Sequence, residues 1–259
     1  RYYRVFVPAS LRRAAAIVAN SQATAADIAT AFPFTRGRVA VAPFGTPSWV
    51  WDHDAPPPAG PDAPYLFVGT LEPRKNLPRL LAAYRGLLER EQRLGAGRFP
   101  DLVLVGGRGW LDSPLRRPLE DLRARGRLRL EGYCGSDRLW EWYATARALL
   151  FPSLSEGFGF PILEAMAAGL PVLTADRGAM REVAADAALR VDPLDVPALT
   201  DALARIHLDE QLRHRLRTSG RERARLWSWE RTAAATVAVY RRAIAPAGEG
   251  RGEIHVAAP

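Results

Sequence analysis

The chain has 259 residues, of which 48% are hydrophobic, and a net charge of +8 at pH 7. That length suits one large domain or one and a half ordinary ones, with apolar content for a sizeable core. No apolar run reaches the roughly 18–20 residues of a membrane span. No signal-peptide pattern opens the chain. One cysteine, Cys134, excludes an internal disulfide framework and fits a reducing, cytoplasmic compartment.

The charge attracts anions such as nucleotides, phosphorylated substrates, acidic lipids or nucleic acid, without choosing among them. Its make-up says more. Of the 36 basic residues, 35 are arginine and one is Lys75. An ammonium is a compact, strongly hydrated point charge and a guanidinium is a planar fork, so the two do not interchange. The lone lysine either falls at Lys75 by chance or marks a position that requires an ammonium, and the second reading is preferred. The chain starts at Arg1 rather than Met, so it is expected to begin inside a longer protein.

Residues 1–15 read as the end of an element. Ala16–Asn20 is expected as a short buried strand, and Ser21 or Thr24 caps a helix running to about Phe32. Arg38–Ala42 alternates as a strand. A Trp-rich bend and the run Ala55-Pro56-Pro57-Pro58-Ala59-Gly60-Pro61 then read as a linker. After it, apolar strands alternate with amphipathic helices. The strands are Tyr65–Gly69, Asp101–Gly107, Arg127–Tyr133, Ala148–Phe151, Pro171–Thr174 and Ala188–Val191. The helices cover Asn76–Leu94, Ser113 to Gly126, Ser136–Ala148, the segment from Pro161 to Gly169, and the chain from Val196 to about residue 245. This rhythm predicts an α/β fold: a Rossmann-like parallel sheet with helices on both faces. Ligands of such sheets bind at the carboxyl ends of the strands. The loops to watch are 69–76, 106–112, 132–136 and 152–161.

The loop after Ala148–Phe151 carries two glutamates, Glu156 and Glu164, around Gly157-Phe158-Gly159-Phe160-Pro161. Pro161 suits the first helical position, and the free N–H groups of a helix start cradle anions. Gly157 and Gly159 let the backbone approach a ligand. Phe158 and Phe160 can shield it from water. Glu164, expected in the first turn, can accept hydrogen bonds from a pair of sugar hydroxyls, and Glu156 can do so for a second sugar. The stretch thus fits a molecule with phosphates in the middle and a sugar at each end. The plain alternatives are a helix-stabilising carboxylate for Glu164 and a solvated turn residue for Glu156. Arg74 and Lys75 can neutralise a diphosphate or can form a solvated surface pair. Gly106-Gly107-Arg108-Gly109-Trp110 lacks the spacing of a dinucleotide loop. Tyr133 and Cys134 follow a strand and can present backbone to a base edge. Cys134 has no nearby histidine to activate it. Asp52-His53-Asp54 reads as linker rather than as a metal triplet. His207 and His214 read as surface residues of one arginine-rich helix.

Together, Phe151–Pro161 with Leu163–Ala167 and Gly169–Val172, Gly69–Asn76 and Gly109–Leu111 resemble the nucleotide-binding half of a retaining GT-B glycosyltransferase of family 4, the group 1 type. The resemblance runs from Ile17 to Trp229-Glu230. Gly69–Asn76 and Gly109–Leu111 are similar to a bacterial subgroup rich in polysaccharide mannosyltransferases. The resemblance implies a metal-independent, retaining hexosyltransferase without a cofactor, using a nucleotide-diphosphate sugar, with GDP-mannose the best guess. The acceptor is a glycan or lipid-linked sugar. It implies that Glu164 binds ribose, that Glu156 and residues 157–160 hold the donor sugar and phosphates, and that Lys75 with Arg74 stabilises the departing diphosphate. Gly69 and Thr70 line the donor site, and Tyr133 and Cys134 meet the base through main chain. Two departures stand out. Thr70 occupies a position where many members carry Arg, leaving Arg74 for that contact. Gly178–Val183 carries Ala and Arg where members often show Gly and Pro.

The implied organisation is residues 1–43 as the end of an N-terminal acceptor domain, 44–64 as linker, 65–228 as the nucleotide-sugar-binding domain, 229–245 as a crossover helix and 246–259 as a flexible tail. The rest of the N-terminal domain would lie upstream, and this chain alone would bind donor with little turnover. Rival readings are another GT-B enzyme (an epimerase or a phosphorylase), a non-catalytic nucleotide-sugar sensor, and nucleic-acid binding. No nucleic-acid module is recognised. The arginines could instead hold the protein at the cytoplasmic face of an anionic membrane.

Overall fold

A computed structural model describes residues 2–94, 97–107, 109 and 113–245. The expected tail at 246–259, with His255, lies outside the described residues, as do Arg108, Trp110 and Leu111. The chain divides into two compact units, one of Arg1–Gly45 with Leu226–Pro259 and one of Thr46–Arg225.

The smaller unit contains α1 (Tyr2–Arg13), β1 (Ile17–Ala19), α2 (Gln22–Ala31) and β2 (Val39–Val41). β1 and β2 pair in parallel, Ile17 opposite Val39. Ser21 caps α2 by accepting the Thr24 N–H at 3.0 Å. β1 is not buried throughout. Ile17 and Ala19 point inward, while Val18 is 42% exposed. That alternation is what a strand with one covered face requires. The Arg38 guanidinium gathers the carbonyls of Leu11, Ala14 and Phe34. The last helix of the chain, Trp229–Ile244, also belongs to this unit. Its Thr232 hydroxyl donates to the Pro43 carbonyl at 2.6 Å, and Trp229 packs on Phe44.

The larger unit holds six strands: β3 (Tyr65–Val68), β4 (Leu102–Val105), β5 (Leu128–Gly132), β6 (Ala148–Phe151), β7 (Val172–Ala175) and β8 (Leu189–Val191). Their order in the sheet is β5-β4-β3-β6-β7-β8, and every neighbouring pair is parallel. Every residue of β3, β4, β6 and β7 is buried. Tyr65, Phe67, Leu102, Leu104, Ala148 and Leu150 pack into the core formed with α3 (Leu77–Glu89), α5 (Ser113–Ala124) and α9 (Val196–Leu208). Leu66, Val103, Leu149 and Phe151 have the opposite parity and are equally buried. Both faces are therefore covered, which explains the near-continuous apolar strands. The other helices are α4 (Glu91–Leu94), α6 (Ser136–Thr145), α7 (Phe160–Ala167), α8 (Gly178–Ala184) and α10 (Glu210–Arg225). The helix at Trp229–Ile244 is α11.

Several expectations change. The helix expected over Asn76–Leu94 breaks at Arg90, where the chain turns and Glu91 accepts the Phe99 N–H and pairs with Arg127. The helical stretch after Val196 is three helices. Asp209 interrupts it with an extended backbone and caps the next helix by accepting the Leu212 N–H at 2.8 Å. His207 is not on the surface. It is the penultimate residue of α9, is 7% exposed and meets the Phe99 ring edge-on at 4.7 Å. It therefore lies on a different helix from His214. The segment Gly178–Val183 forms most of α8 and buries Ala179, Met180 and Val183.

Candidate functional site

The strand order reverses between β3 and β6, which lie side by side although β4 and β5 separate them in sequence. At such a switch point the two following connections leave in opposite directions and open a crevice at the carboxyl ends of the strands. Here the flanking loops are 69–76 after β3 and 152–159 after β6. They carry the two segments singled out in the sequence.

The loops are tied together. Leu154 N–H donates to the Arg74 carbonyl at 2.7 Å. Asn76 is 1% exposed, adopts a left-handed backbone (φ 60°, ψ 27°), and donates from Nδ2 to the Pro152 and Pro193 carbonyls at 3.0 and 2.7 Å. Asparagine tolerates that conformation better than most residues, and its amide satisfies two loop carbonyls at once.

On this frame Glu156 is held by both cations. Its Oε1 accepts from Lys75 Nζ at 2.6 Å, and its Oε2 pairs with Arg74 Nη1. Arg74 Nε also meets Glu72 at 2.9 Å. Lys75 is 6% exposed, and its ammonium sits 4.6 Å from the centre of the Phe151 ring. Burial pulls the Lys75 pKa down, while Glu156 opposes that shift. Hydrogen bonds and charge from Glu156 and Glu72 outweigh burial at Arg74 and raise its pKa. Gly69 explains part of the choice of lysine. A Cβ at Gly69 would lie 3.1 Å from Lys75 Cε and 3.3 Å from Nζ, so the slim stem passes over a glycine. A cavity of about 470 Å³ opens beside this triad, lined by Thr70, Glu72, Pro73, Arg74 and Gly109. Its size is in the usual range for small-molecule sites.

Glu164 begins the second turn of α7, one position beyond the first turn expected for it. Phe160 opens the helix, Pro161 follows, and Gly159 caps it with a left-handed backbone (φ 105°). Phe158 is buried and meets Phe160 edge-to-face at 5.3 Å. Gly157 is exposed at the tip of the loop. The Glu164 carboxylate accepts from the Tyr143 hydroxyl at 2.7 Å. Burial pushes the Glu164 carboxyl up, and the Tyr143 hydrogen bond only partly offsets it. Burial and then Glu164 push the Tyr143 phenol up as well. Trp49 stacks on Tyr143 with centroids 6.5 Å apart.

Gly132 turns the chain out of β5 with φ 76°, leaving Tyr133 86% exposed and Cys134 half-buried. Burial raises the Cys134 thiol pKa, which disfavours a thiolate nucleophile. His53 stacks on Trp140 at 4.5 Å. Among the described residues no cluster of three potential metal ligands exists. The structure thus joins Arg74, Lys75 and Glu156 into one group beside Gly69 and Thr70, with Glu164 on a separate, Tyr143-anchored arm. Sequence reasoning missed Tyr143 and Asn76. Tyr143 follows Trp142 in a helix whose pattern reads only as core. Asn76, placed just before Leu77-Pro78, carried a usable cap signal.

A parallel sheet covered on both faces, with a cation–carboxylate group at its switch point, is the build of a GT-B nucleotide-binding unit. Residues 52–223 match the family model described as "Glycosyl transferases group 1", and the chain belongs to that family. It is 40% identical over 176 residues to the O-antigen chain mannosyltransferase B of Escherichia coli, covering 68% of this chain and 45% of that protein. It is 34% identical over 192 residues to a D-inositol 3-phosphate glycosyltransferase of a Nocardioides species, covering 69% of this chain and 41% of that one. The chain thus spans somewhat under half the length of these two curated relatives. Among solved structures it is similar to the sucrose-phosphate synthase of Thermosynechococcus elongatus, with a TM-score of 0.74 and 26% identity over 93% of this chain and 62% of that one. TarM shares the fold, with a TM-score of 0.76 at 14% identity over 93% of this chain and 46% of that one. No helix among the described residues is long and apolar enough to cross a membrane.

Proposed function

We propose that this chain is the donor-binding part of a retaining hexosyltransferase that takes a sugar, best read as mannose from GDP-mannose, from a nucleoside diphosphate to a glycan or lipid-linked acceptor. The observation that carries the reading is the bridging of Glu156 by Lys75 and Arg74 across the switch point. A diphosphate entering the crevice would compete with Glu156 for both cations. Lys75 and Arg74 would take the developing charge of the departing diphosphate, the kind of preorganised electrostatic aid that supplies much of an enzyme's rate. Glu156, released from them, would accept hydrogen bonds from the donor sugar. Glu164, held in place by Tyr143, would accept from the ribose hydroxyls. Residues 157–160 would bring backbone N–H groups to the phosphates at the start of α7, where anions are favoured. Tyr133 and Cys134 would border the base. In this reading the cations replace a metal ion in neutralising the leaving group, and no cofactor takes part. The mannose assignment draws support from the 40% identical mannosyltransferase.

The test is calorimetric titration of this chain with GDP, UDP, ADP and GDP-mannose, beside the variants Glu164→Ala and Lys75→Ala. Selective binding of guanine nucleotides, lost in both variants, is the expected result. Preference for UDP or ADP would replace the donor. Binding that survives both substitutions would remove the assignment of the site.

A further inference from the structure

A second charged site lies at the other end of the strands. Ala146 and Arg147 lead into β6 and Pro171 leads into β7, and beside them is a cavity of about 110 Å³. The proline run Pro56–Pro58 forms one wall and α10 another. Its charged lining is Arg147, Arg213, Arg217 and Glu210, with His214 beside them.

The arginines have structural work that explains their positions. Arg213 Nη1 donates to the Ile206 carbonyl at 3.0 Å and to that of His207, at the end of α9. Arg217 donates to the Gly169 carbonyl at 3.1 Å, just beyond α7, and to the Pro56 carbonyl. Arg147 donates to the Gly60 and His207 carbonyls at 3.0 and 3.1 Å. All these acceptors are neutral. Among the described residues no carboxylate forms a salt bridge with any of the three. Three guanidinium charges therefore line one small cavity, with Glu210 the only carboxylate among its described lining residues and Asp62 a further carboxylate within electrostatic reach of Arg147.

Arg147 supplies a second, independent observation. It is 7% exposed, lines the cavity, and its Nε is buried without a hydrogen-bond partner among the described residues. The Tyr65 hydroxyl does not line the cavity, but it lies within electrostatic reach of Arg147 and Arg213 and is also buried without a hydrogen-bond partner among the described residues. Leaving such a donor unsatisfied is unfavourable, the more so on a charged group. Burial and the neighbouring Arg213 lower the Arg147 pKa, and burial and Arg221 lower that of Arg217. The cluster is short of negative charge.

We infer that this cavity binds a phosphoryl group, as inorganic phosphate or the head of a small phosphomonoester. Guanidinium forks match phosphate oxygens geometrically. An apolar cavity of about 150 Å³ takes a benzene molecule, so one of 110 Å³ has room for a phosphoryl group but not for a nucleotide. The proline and alanine walls suit the carbon end of an ester.

The test is equilibrium binding of inorganic phosphate and of glycerol 3-phosphate to this chain and to Glu210→Gln, Arg217→Gln and Arg74→Ala. Glu210 is exposed at the start of α10, so its replacement should not disturb folding. Removing that carboxylate should tighten binding about threefold, as expected for one nearby exposed charge. Arg217→Gln should weaken it about tenfold or more, the worth of a charge-assisted contact. Arg74→Ala should weaken only anion binding at the donor crevice and leave the effects of Glu210→Gln and Arg217→Gln in place. Tighter binding of glycerol 3-phosphate than of phosphate would identify an ester as the ligand, and the reverse order would identify free phosphate. The inference is overturned if folded chain binds neither ion, or if Glu210→Gln has no effect. It is equally overturned if Arg74→Ala alone abolishes binding, which would place the anion in the crevice at the opposite end of the sheet.

Discussion

Lys75 Nζ lies 2.6 Å from Glu156 Oε1, although the residues are 81 positions apart in the chain. Both side chains are more than nine-tenths buried. Removing one partner of a buried pair leaves an uncompensated charge, at a cost of about 3–5 kcal/mol. Arg74 still neutralises Glu156 in Lys75→Ala, so the expected loss is smaller, about 1–3 kcal/mol. Adding Glu156→Gln to that variant should restore part of the stability, with a coupling energy of about 0.5–3 kcal/mol in a double-mutant cycle. Urea unfolding of the four proteins measures it. Simple additivity would show that the contact carries no coupling.

Glu164 gives a pH prediction. Its folded pKa is raised by burial. Its contribution to stability is therefore present below the unfolded pKa and is lost as pH rises through the folded value. Glu164→Gln keeps the shape without the charge. Its melting temperature should exceed that of the wild type by a margin that widens as pH rises from about 4, the unfolded carboxylate range, through the raised folded value. Each kcal/mol gained moves Tm by about 2–4 °C at this chain length. The same substitution should weaken ribonucleotide binding.

Tyr143→Phe removes the hydrogen bond that partly offsets the burial of Glu164. The Glu164 pKa should then rise further, moving the pH-dependent loss of stability upward. The cost near neutral pH should be about 1–3 kcal/mol, that of a buried acceptor left without its donor. Denaturation at several pH values checks both. A variant with an unshifted pH profile would mean that water replaces the hydroxyl.

Two adjacent glycines make a paired test of the loops. A Cβ at Gly106, where φ is 142°, would come within 2.2 Å of the Gly69 carbonyl oxygen, whereas one at Gly107 meets nothing within 4 Å. Gly106→Ala should cost about 1–3 kcal/mol through forced displacement of the β3 loop and should weaken diphosphate binding. Gly107→Ala should change stability by less than about 1 kcal/mol. Thermal melts and one nucleotide titration per variant decide it.

The two-glutamate loop was legible because its chemistry is local: glycines, aromatics and a proline between carboxylates. The alternation of apolar runs and amphipathic helices likewise announced the parallel sheet. What stayed hidden was pairing at a distance. Nothing near Lys75 names Glu156 as its partner, since the contact exists only because β3 and β6 are neighbours. Tyr143 was hidden for a similar reason, as its hydroxyl is spoken for by a residue on another helix. His207 misled because its arginine-rich sequence surroundings belong to α10, while its own helix ends against Phe99. In sequence, α10 reads only as an arginine-rich surface helix. Several of its arginines instead close the open carbonyl ends of other helices: Arg213 for α9, and Arg223 for the Glu182 and Val183 carbonyls of α8.

The Asn76 side chain fastens three separate stretches of chain, its own and those ending at Pro152 and Pro193, through one amide group. A lengthened loop at any of the three would have to unfasten the other two. Diversification of such a crevice among descendants of this chain would therefore proceed by exchanging side chains in place, while insertions and deletions collect on stretches that this amide does not hold.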